Sequence, residues 1–324
     1  MPKQKLEYWK RYDLMFKNYS KKDLVLILEH ELIHNCLVPR YIRGRRTIVR
    51  KERIISFILV EKQLKSVYRD MEMEGDVYLL HKYDHSSFQY HYKALPETIL
   101  YKILSIFEKK CKVLLNEIFI HLVDSTAQSS SVREERLRQG TRNKEKITDK
   151  IHTLLGYDPP NKIVIVESAL ASDKHLSDGK GAESMISKHL KGYLFGDAGY
   201  ETYDLIDLAF EYGLIPIIKP QNKNIKRKLS KKAQLRKIWN GNNKRLYKEI
   251  RGVAEVLYGG ATKANLLKTN SKLTSIRRKD ALILSIRQNL FSFLRLKALI
   301  RIYRQTLLFK KNFNRIYCTG LTTS

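Results

Sequence analysis

The sequence predicts an α/β fold in which a mixed sheet flanked by helices follows a mainly helical N-terminal region. Three observations predict it. Residues 1 to about 115 hold few glycines and prolines and place apolar residues three or four apart, as at Leu24, Leu28 and Leu32, the spacing of one helix face. At Glu117 the texture turns β-rich, in the run Glu117-Ile118-Phe119-Ile120-His121-Leu122-Val123. Beyond Lys150 strand-like and helix-like runs alternate, the pattern of a sheet with crossover helices.

Taken in order, residues 23–38 and 53–68 are apolar-periodic and predict two helices. Pro96 opens a third pattern over residues 97–115, with Leu100, Ile103, Ile106 and Phe107 on its buried face. The first strand ends in Asp124-Ser125-Thr126, a polar turn. Residues 128–148 are polar and charged with no apolar period, and are expected to form a loop or a short helix. Two further strands, 151–155 and 163–166, flank Asp158-Pro159-Pro160-Asn161, where proline presets φ and Asp or Asn bonds its own backbone, so a hairpin follows. A helix at 182–190, a strand at 193–196 closing on Asp197-Ala198-Gly199-Tyr200, a helix at 202–212 and a strand at 214–218 complete the plan.

Composition narrows the function. With 62 Lys+Arg against 33 Asp+Glu, the chain carries a formal charge of +29, a field that attracts polyanions, nucleic acid first among them. Residues 221–311 hold 25 of the basic residues and three acids, Glu249, Glu255 and Asp280. A second basic stretch holds Arg40, Arg43, Arg45, Arg46, Arg50, Lys51 and Arg53 against Glu52. Arginines at that density suit backbone phosphates, which give affinity without base preference. Cys36, Cys111 and Cys318 form no CxxC pair, so neither a disulfide framework nor a zinc ribbon is expected. A reducing, cytoplasmic and nucleoid-associated setting is the expectation, without a membrane, because no apolar run nears the ~18 residues of a span.

Asp124 and Asp197 both fall at strand ends, where open α/β sheets leave a crevice for catalytic groups. In residues 244–260, Leu246, Ile250, Val253 and Leu257 predict a buried helix face, with Lys248, Arg251 and Glu255 on the other side. Three carboxylates converging from two strand ends and a helix make a hard-oxygen site suited to Mg²⁺.

His121-Leu122-Val123-Asp124-Ser125-Thr126, Gly196-Asp197-Ala198-Gly199-Tyr200, and Tyr247 with Arg251 and Glu255 resemble the three blocks of a DDE transposase of prokaryotic insertion sequences. The likeness spans about residues 117–300, including Arg278-Lys279-Asp280-Ala281-Leu282 and Asn289-Leu290. It implies a ribonuclease-H-like catalytic domain at 116–300, a helical DNA-binding region at 1–115 and a basic C-terminal tail at 301–324. It further implies Asp124, Asp197 and Glu255 as catalytic residues and ligands of two Mg²⁺ ions, for which Mn²⁺ could substitute. Double-stranded DNA is then the partner, contacted by Arg251, Lys248, Arg43, Arg45 and Arg46, and a homodimer holds two element ends. The family's last block commonly reads Tyr-x2-Arg-x3-Glu-x6-Lys. Here three residues separate Tyr247 from Arg251, and Thr262 takes the lysine position. A catalytically inactive DNA-binding descendant is the alternative.

His30-Glu31-Leu32-Ile33-His34 matches HExxH, in which two histidines one turn apart hold zinc and the glutamate acts as a base. No third ligand follows in Asn35-Cys36-Leu37-Val38-Pro39. On a helical wheel the histidines lie opposite Val25, Leu28, Leu32 and Cys36, which predicts a polar outer face. Residues 281–311 interleave apolar residues with Arg287, Arg295, Lys297, Arg301 and Arg304, and core packing with basic side chains snorkelling outward is expected there.

Overall fold

The computed structural model describes residues 19–38, 48–64, 66–115, 117–138, 141–220, 238–239, 242–263, 267–269, 271 and 273–319. Among the described residues five helices come first: α1 (Lys21–His34), α2 (Lys51–Gln63), α3 (Tyr68–Leu79), α4 (His85–Ala94) and α5 (Glu97–Leu114). Ser20 opens α1 with a capping box shared with Asp23, and Pro96 precedes α5 as its fixed φ favours. The Ile99, Leu100, Ile103, Leu104, Phe107 and Cys111 face of α5 is buried; the spacing predicts Leu100, Ile103 and Phe107 there, whereas Ile106, also expected, is only half-buried at its border.

The sheet follows, with β1 (Ile120–Arg138), β2 (Thr141–Asp158), β3 (Ile163–Asp173), β4 (Gly192–Gly196) and β5 (Leu214–Ile218) in the order β3-β2-β1-β4-β5. β1, β2 and β3 pair antiparallel, whereas β1, β4 and β5 pair parallel. Short α6 (Asp178–Glu183) and α7 (Tyr203–Glu211) make the crossovers, α8 (Asn242–Lys263) and α9 (Thr274–Thr319) follow, and β6 (Lys268–Thr269) adds to β1. This is the mixed, ribonuclease-H-like arrangement the sequence predicts, preceded by its helical region.

Three expectations differ in detail. β1 does not end in a turn at Asp124-Ser125-Thr126 but runs on through them, and residues 128–138 and 141–148 are not a loop or helix: they continue β1 and β2 as a long antiparallel ladder, paired out to Arg138↔Thr141. A backbone ladder needs no apolar alternation once both its strands are anchored in a sheet, so the missing period misleads. The helix expected at 182–190 is α6, which begins earlier and ends at Glu183, because Ser177 caps it at the first free N–H groups. The expected boundary at 300 lies inside α9, a single helix to Thr319.

The sheet is buried on both faces. Leu122 and Phe195 belong to one large cluster with α2, α5 and α9, while Val123 and Leu194 belong to a smaller one with α6 and α7. The helical region and the sheet therefore share a core across the expected boundary at residue 115. Polar bonds reinforce it: Tyr92 donates to Asp280 Oδ1 at 2.8 Å, and Lys279 Nζ donates to the Tyr92 and Lys93 carbonyls at 3.0 and 2.9 Å.

Edge strand β3 is closed by side chains of α9. Asn289 Oδ1 accepts from the Val166 N–H at 2.6 Å, and its Nδ2 donates to the Val166 carbonyl at 2.8 Å. Gln288 and Ser292 both donate to the Val164 carbonyl, at 2.9 and 2.6 Å. Asn289 thus serves as the missing neighbour of an edge that would otherwise stay open. Asn289→Leu leaves buried Val166 with both backbone groups unpaired. Equilibrium denaturation is expected to show a loss of about 2–5 kcal/mol, the sum of two such penalties; a loss under ~1 kcal/mol would refute this role.

Candidate active site at the strand ends

Asp124 and Asp197 are brought together by register. Leu122 pairs with Phe195 in the parallel β1–β4 ladder, so extending that register by two residues sets Asp124 beside Asp197, on strands ~4.8 Å apart. A glycine fixes the register. Gly192 enters β4 at φ +101°, and a Cβ there would lie 2.3 Å from the Phe119 carbonyl oxygen. That carbonyl accepts the Tyr193 N–H at 2.8 Å. Only a residue without a side chain lets β4 start so close to β1.

Both aspartates are held by backbone. Asp124 Oδ1 accepts from the Ser125 N–H at 2.9 Å, and Asp197 Oδ1 accepts from the Gly199 N–H at 2.8 Å, capping a short 3₁₀ turn, Ala198–Tyr200. Burial first, then the neighbouring charges of Asp197 and Asp178, push the Asp124 carboxyl up to about 6, against the Ser125 hydrogen bond and the nearby Arg251. Crowded carboxylates short of positive charge are what a hard divalent cation would relieve.

Helix α8 lies over this edge. Among the described side chains its buried stripe is Tyr247, Ile250, Ala254 and Tyr258; of the expected stripe, Ile250 is buried, Leu246 and Val253 are half-buried, and the Leu257 side chain lies outside the described residues. Tyr258 faces the sheet because its hydroxyl finds partners there, Thr153 Oγ1 at 2.5 Å and the Asp124 carbonyl at 3.4 Å. Sequence periodicity missed these tyrosines by scoring them as less apolar than leucine. Burial raises the Tyr247 hydroxyl, with Arg251 pulling it back down and Asp197 and Asp124 adding to the rise. So Tyr247 and Arg251 stand at the rim of the aspartate pair.

Glu255 follows Arg251 by one turn on the border of that stripe. Its side chain is 69% exposed and pairs with Arg251 Nε at 3.5 Å. Among the described residues, the group of three His, Cys, Asp or Glu ligand atoms within 4.8 Å of one another is Glu72, Asp84 and His85 on the surface. Asp124, Asp197 and Glu255 do not meet that spacing. The first two are neighbours, and the third sits on the helix above them, turned to solvent. Lys248 is exposed on the same helix. Arg43, Arg45 and Arg46 lie outside the described residues.

Asp178 carries no signal in the sequence, yet it stands beside the aspartate pair. It opens α6, accepts from Ser125 Oγ at 2.7 Å and pairs with Lys150 Nζ at 2.6 Å. Burial opposes its ionisation, but the Lys150 and Ser125 hydrogen bonds hold its carboxyl below the usual carboxylate range. No local pattern announces such a residue; an acid in a first helical turn is ordinary.

Among the described residues, no third ligand atom stands beside His30 and His34 to complete a metal site. The rings of His30 and His34 stack 5.7 Å apart on an exposed face, while buried Glu31 is held by Lys110 Nζ at 2.8 Å. The two histidines lie on the polar outer face the wheel predicts, whereas Cys36, expected on the apolar side, lies past the end of α1 and is exposed. His121, beside the first block, is also structural. Its Nδ1 meets Glu167 at 2.6 Å and its Nε2 the Lys191 carbonyl at 3.0 Å. Glu167 occupies the β-bulge between Leu154 and Leu155 pairings, which re-aims it inward.

No helix among the described residues is long and apolar enough to cross a membrane. No protein-family model matches the sequence, and no curated protein matches it. The class defined by fold and site is a mixed α/β protein with neighbouring carboxylates where the parallel pairing of β1 and β4 stops, one within β1 and one just past β4, beneath a basic helix.

Proposed function

We propose that this chain is a DNA transposase that binds element ends and carries out metal-dependent strand cleavage and strand transfer. One observation carries the reading: Asp124, within β1, stands beside Asp197, just past the end of β4, under a helix bearing exposed Lys244, Arg245, Lys248 and Arg251. Their donor chemistry suits Mg²⁺, with Glu255 as the third ligand once the α8 side chains rearrange on DNA. Two bound ions would activate an attacking hydroxyl and stabilise the leaving oxygen of a phosphodiester. The protein's own residues do the rest. Ser125 and Gly199 N–H groups orient the carboxylates, Arg251 and Lys248 receive phosphates, and a homodimer holds two ends. Incubation of the purified chain with its element-end DNA and Mg²⁺ should release a nicked or cut strand, and no cleavage in either Mg²⁺ or Mn²⁺ would overturn the enzyme.

A second reading, a DNA-binding protein without catalysis, draws on the solvent-facing Glu255 and its pairing with Arg251. DNA bound with no metal-dependent cut would favour it. Under either reading, affinity falls with salt at a log–log slope near −0.9 per phosphate neutralised. Lys248→Ala is expected to reduce that slope by about one phosphate's worth, weakening all sequences alike. A binding isotherm series from low to moderate salt checks this, and an unchanged slope would remove Lys248 from the interface.

A further inference from the structure

The best-connected carboxylate near the aspartate pair is one that the proposed site does not include. Asp178 lies at the start of α6 with its side chain 25% exposed. It does not cap its own helix: Ser177 Oγ does that, accepting from the Lys180 N–H at 3.4 Å. Asp178 Oδ1 instead turns to the sheet, taking the Ser125 hydroxyl at 2.7 Å and the Lys150 ammonium at 2.6 Å, with His152 Nδ1 3.7 Å away. Ser125 is thereby clamped from two sides, since its N–H donates to Asp124 Oδ1 at 2.9 Å. The other oxygen of Asp178 reaches toward the second aspartate. A Cβ on Gly199 would sit 3.0 Å from Asp178 Oδ2 and 3.1 Å from Asp197 Oδ1. A glycine is what lets the two carboxylates flank this turn.

We infer that Asp178 is a positioning residue of the active site: through the Ser125 hydroxyl it fixes the rotamer of Asp124, and Lys150 holds Asp178 in place. Ser125 pairs with His152 and Ala127 with Lys150 in the β1–β2 ladder, so the clamp ties β1, β2 and α6 together where chemistry is proposed. A residue directly behind a ligand typically changes metal affinity or activity about 10–100-fold when lost. This rests on the transposase reading for its activity arm, while cation binding tests it without that reading.

The experiment uses the full chain with Ser125→Ala, Asp178→Ala, Asp178→Asn and the Ser125→Ala/Asp178→Ala double variant. Strand cleavage is timed, DNA affinity is measured at fixed salt, and Mn²⁺ binding is titrated calorimetrically without DNA. Ser125→Ala and Asp178→Ala should each slow cleavage and weaken Mn²⁺ binding about 10–100-fold, with DNA affinity unchanged. The double variant should be no worse than the poorer single one, because both break one linkage. Asp178→Asn should recover part of the loss, since its amide oxygen still accepts the Ser125 hydroxyl. Wild-type cleavage and Mn²⁺ affinity in Ser125→Ala and Asp178→Asn, or losses that multiply in the double variant, would overturn the inference. Should Asp178→Ala fail to fold, Ser125→Ala and Asp178→Asn decide the matter. A wild-type chain that cuts no DNA would sink the transposase reading alone, leaving the Mn²⁺ titrations to decide the positioning role.

Discussion

Asp124→Asn is expected to lower strand cleavage by at least ~10³-fold, about 4 kcal/mol of barrier, while DNA affinity stays within about twofold. The amide is the same size as the carboxylate, and its oxygen still accepts the Ser125 N–H, so β1 keeps its shape there. What disappears is a negative charge, which phosphate binding does not use and cation ligation needs. Because Asp197 and Asp178 crowd the same spot, losing that charge relieves repulsion. In the absence of divalent cation, the denaturation midpoint should therefore not fall. Asp197→Asn should behave alike, its amide oxygen still capping Gly199. A variant that cuts at the wild-type rate would remove Asp124 from the chemistry. Cleavage and DNA affinity lost together would recast it as structural.

The largest stability effect is expected at Arg277. Its guanidinium lies beneath the surface with Asp149, Nε to Oδ2 at 2.5 Å, the two side chains 6% and 4% exposed. Arg277 also donates to Thr274 Oγ1 at 3.1 Å within the first turns of α9. Arg277→Met would strand the Asp149 carboxylate in a low-dielectric interior, at a cost of about 3–5 kcal/mol. Asp149→Leu added to it removes the stranded charge and should recover most of that loss. The pair is costly to break and cheap to replace, because desolvation of the two ions offsets much of their attraction. Chemical denaturation of the two singles and the double forms the cycle. If Arg277→Met alone were neutral, the ion pair would not be anchoring α9 to β2.

Much of the sheet is legible in sequence. Leu214–Ile218 is a strand where the apolar run places it. Asp158 and Asn161 make the hairpin, bonded at 2.6 Å, because turn chemistry is local. Tyr203–Glu211 is a helix opened by Thr202 for the same reason. The long ladder of 128–138 with 141–148 is not legible, since a ladder formed between two strands leaves no mark on either. Nor is the α8 stripe. Its tyrosines are buried because Thr153 and the Asp124 carbonyl satisfy a hydroxyl, and neither partner lies near them in the chain.

The sequence alone determined most of the order of strands and helices and put Asp197 at a strand end, because capping, turn formation and periodicity act over a few neighbours; it stopped β1 at Asp124, where the strand in fact runs on to Arg138. Only the tertiary structure decided which acids stand together. The pairing of Leu122 with Phe195 set Asp124 beside Asp197, the rotation of α8 turned Glu255 outward beside Arg251, and the cap at Ser177 swung Asp178 against Ser125. Strand register and helix rotation are fixed by contacts between distant segments, and their free energy does not exist until those segments meet.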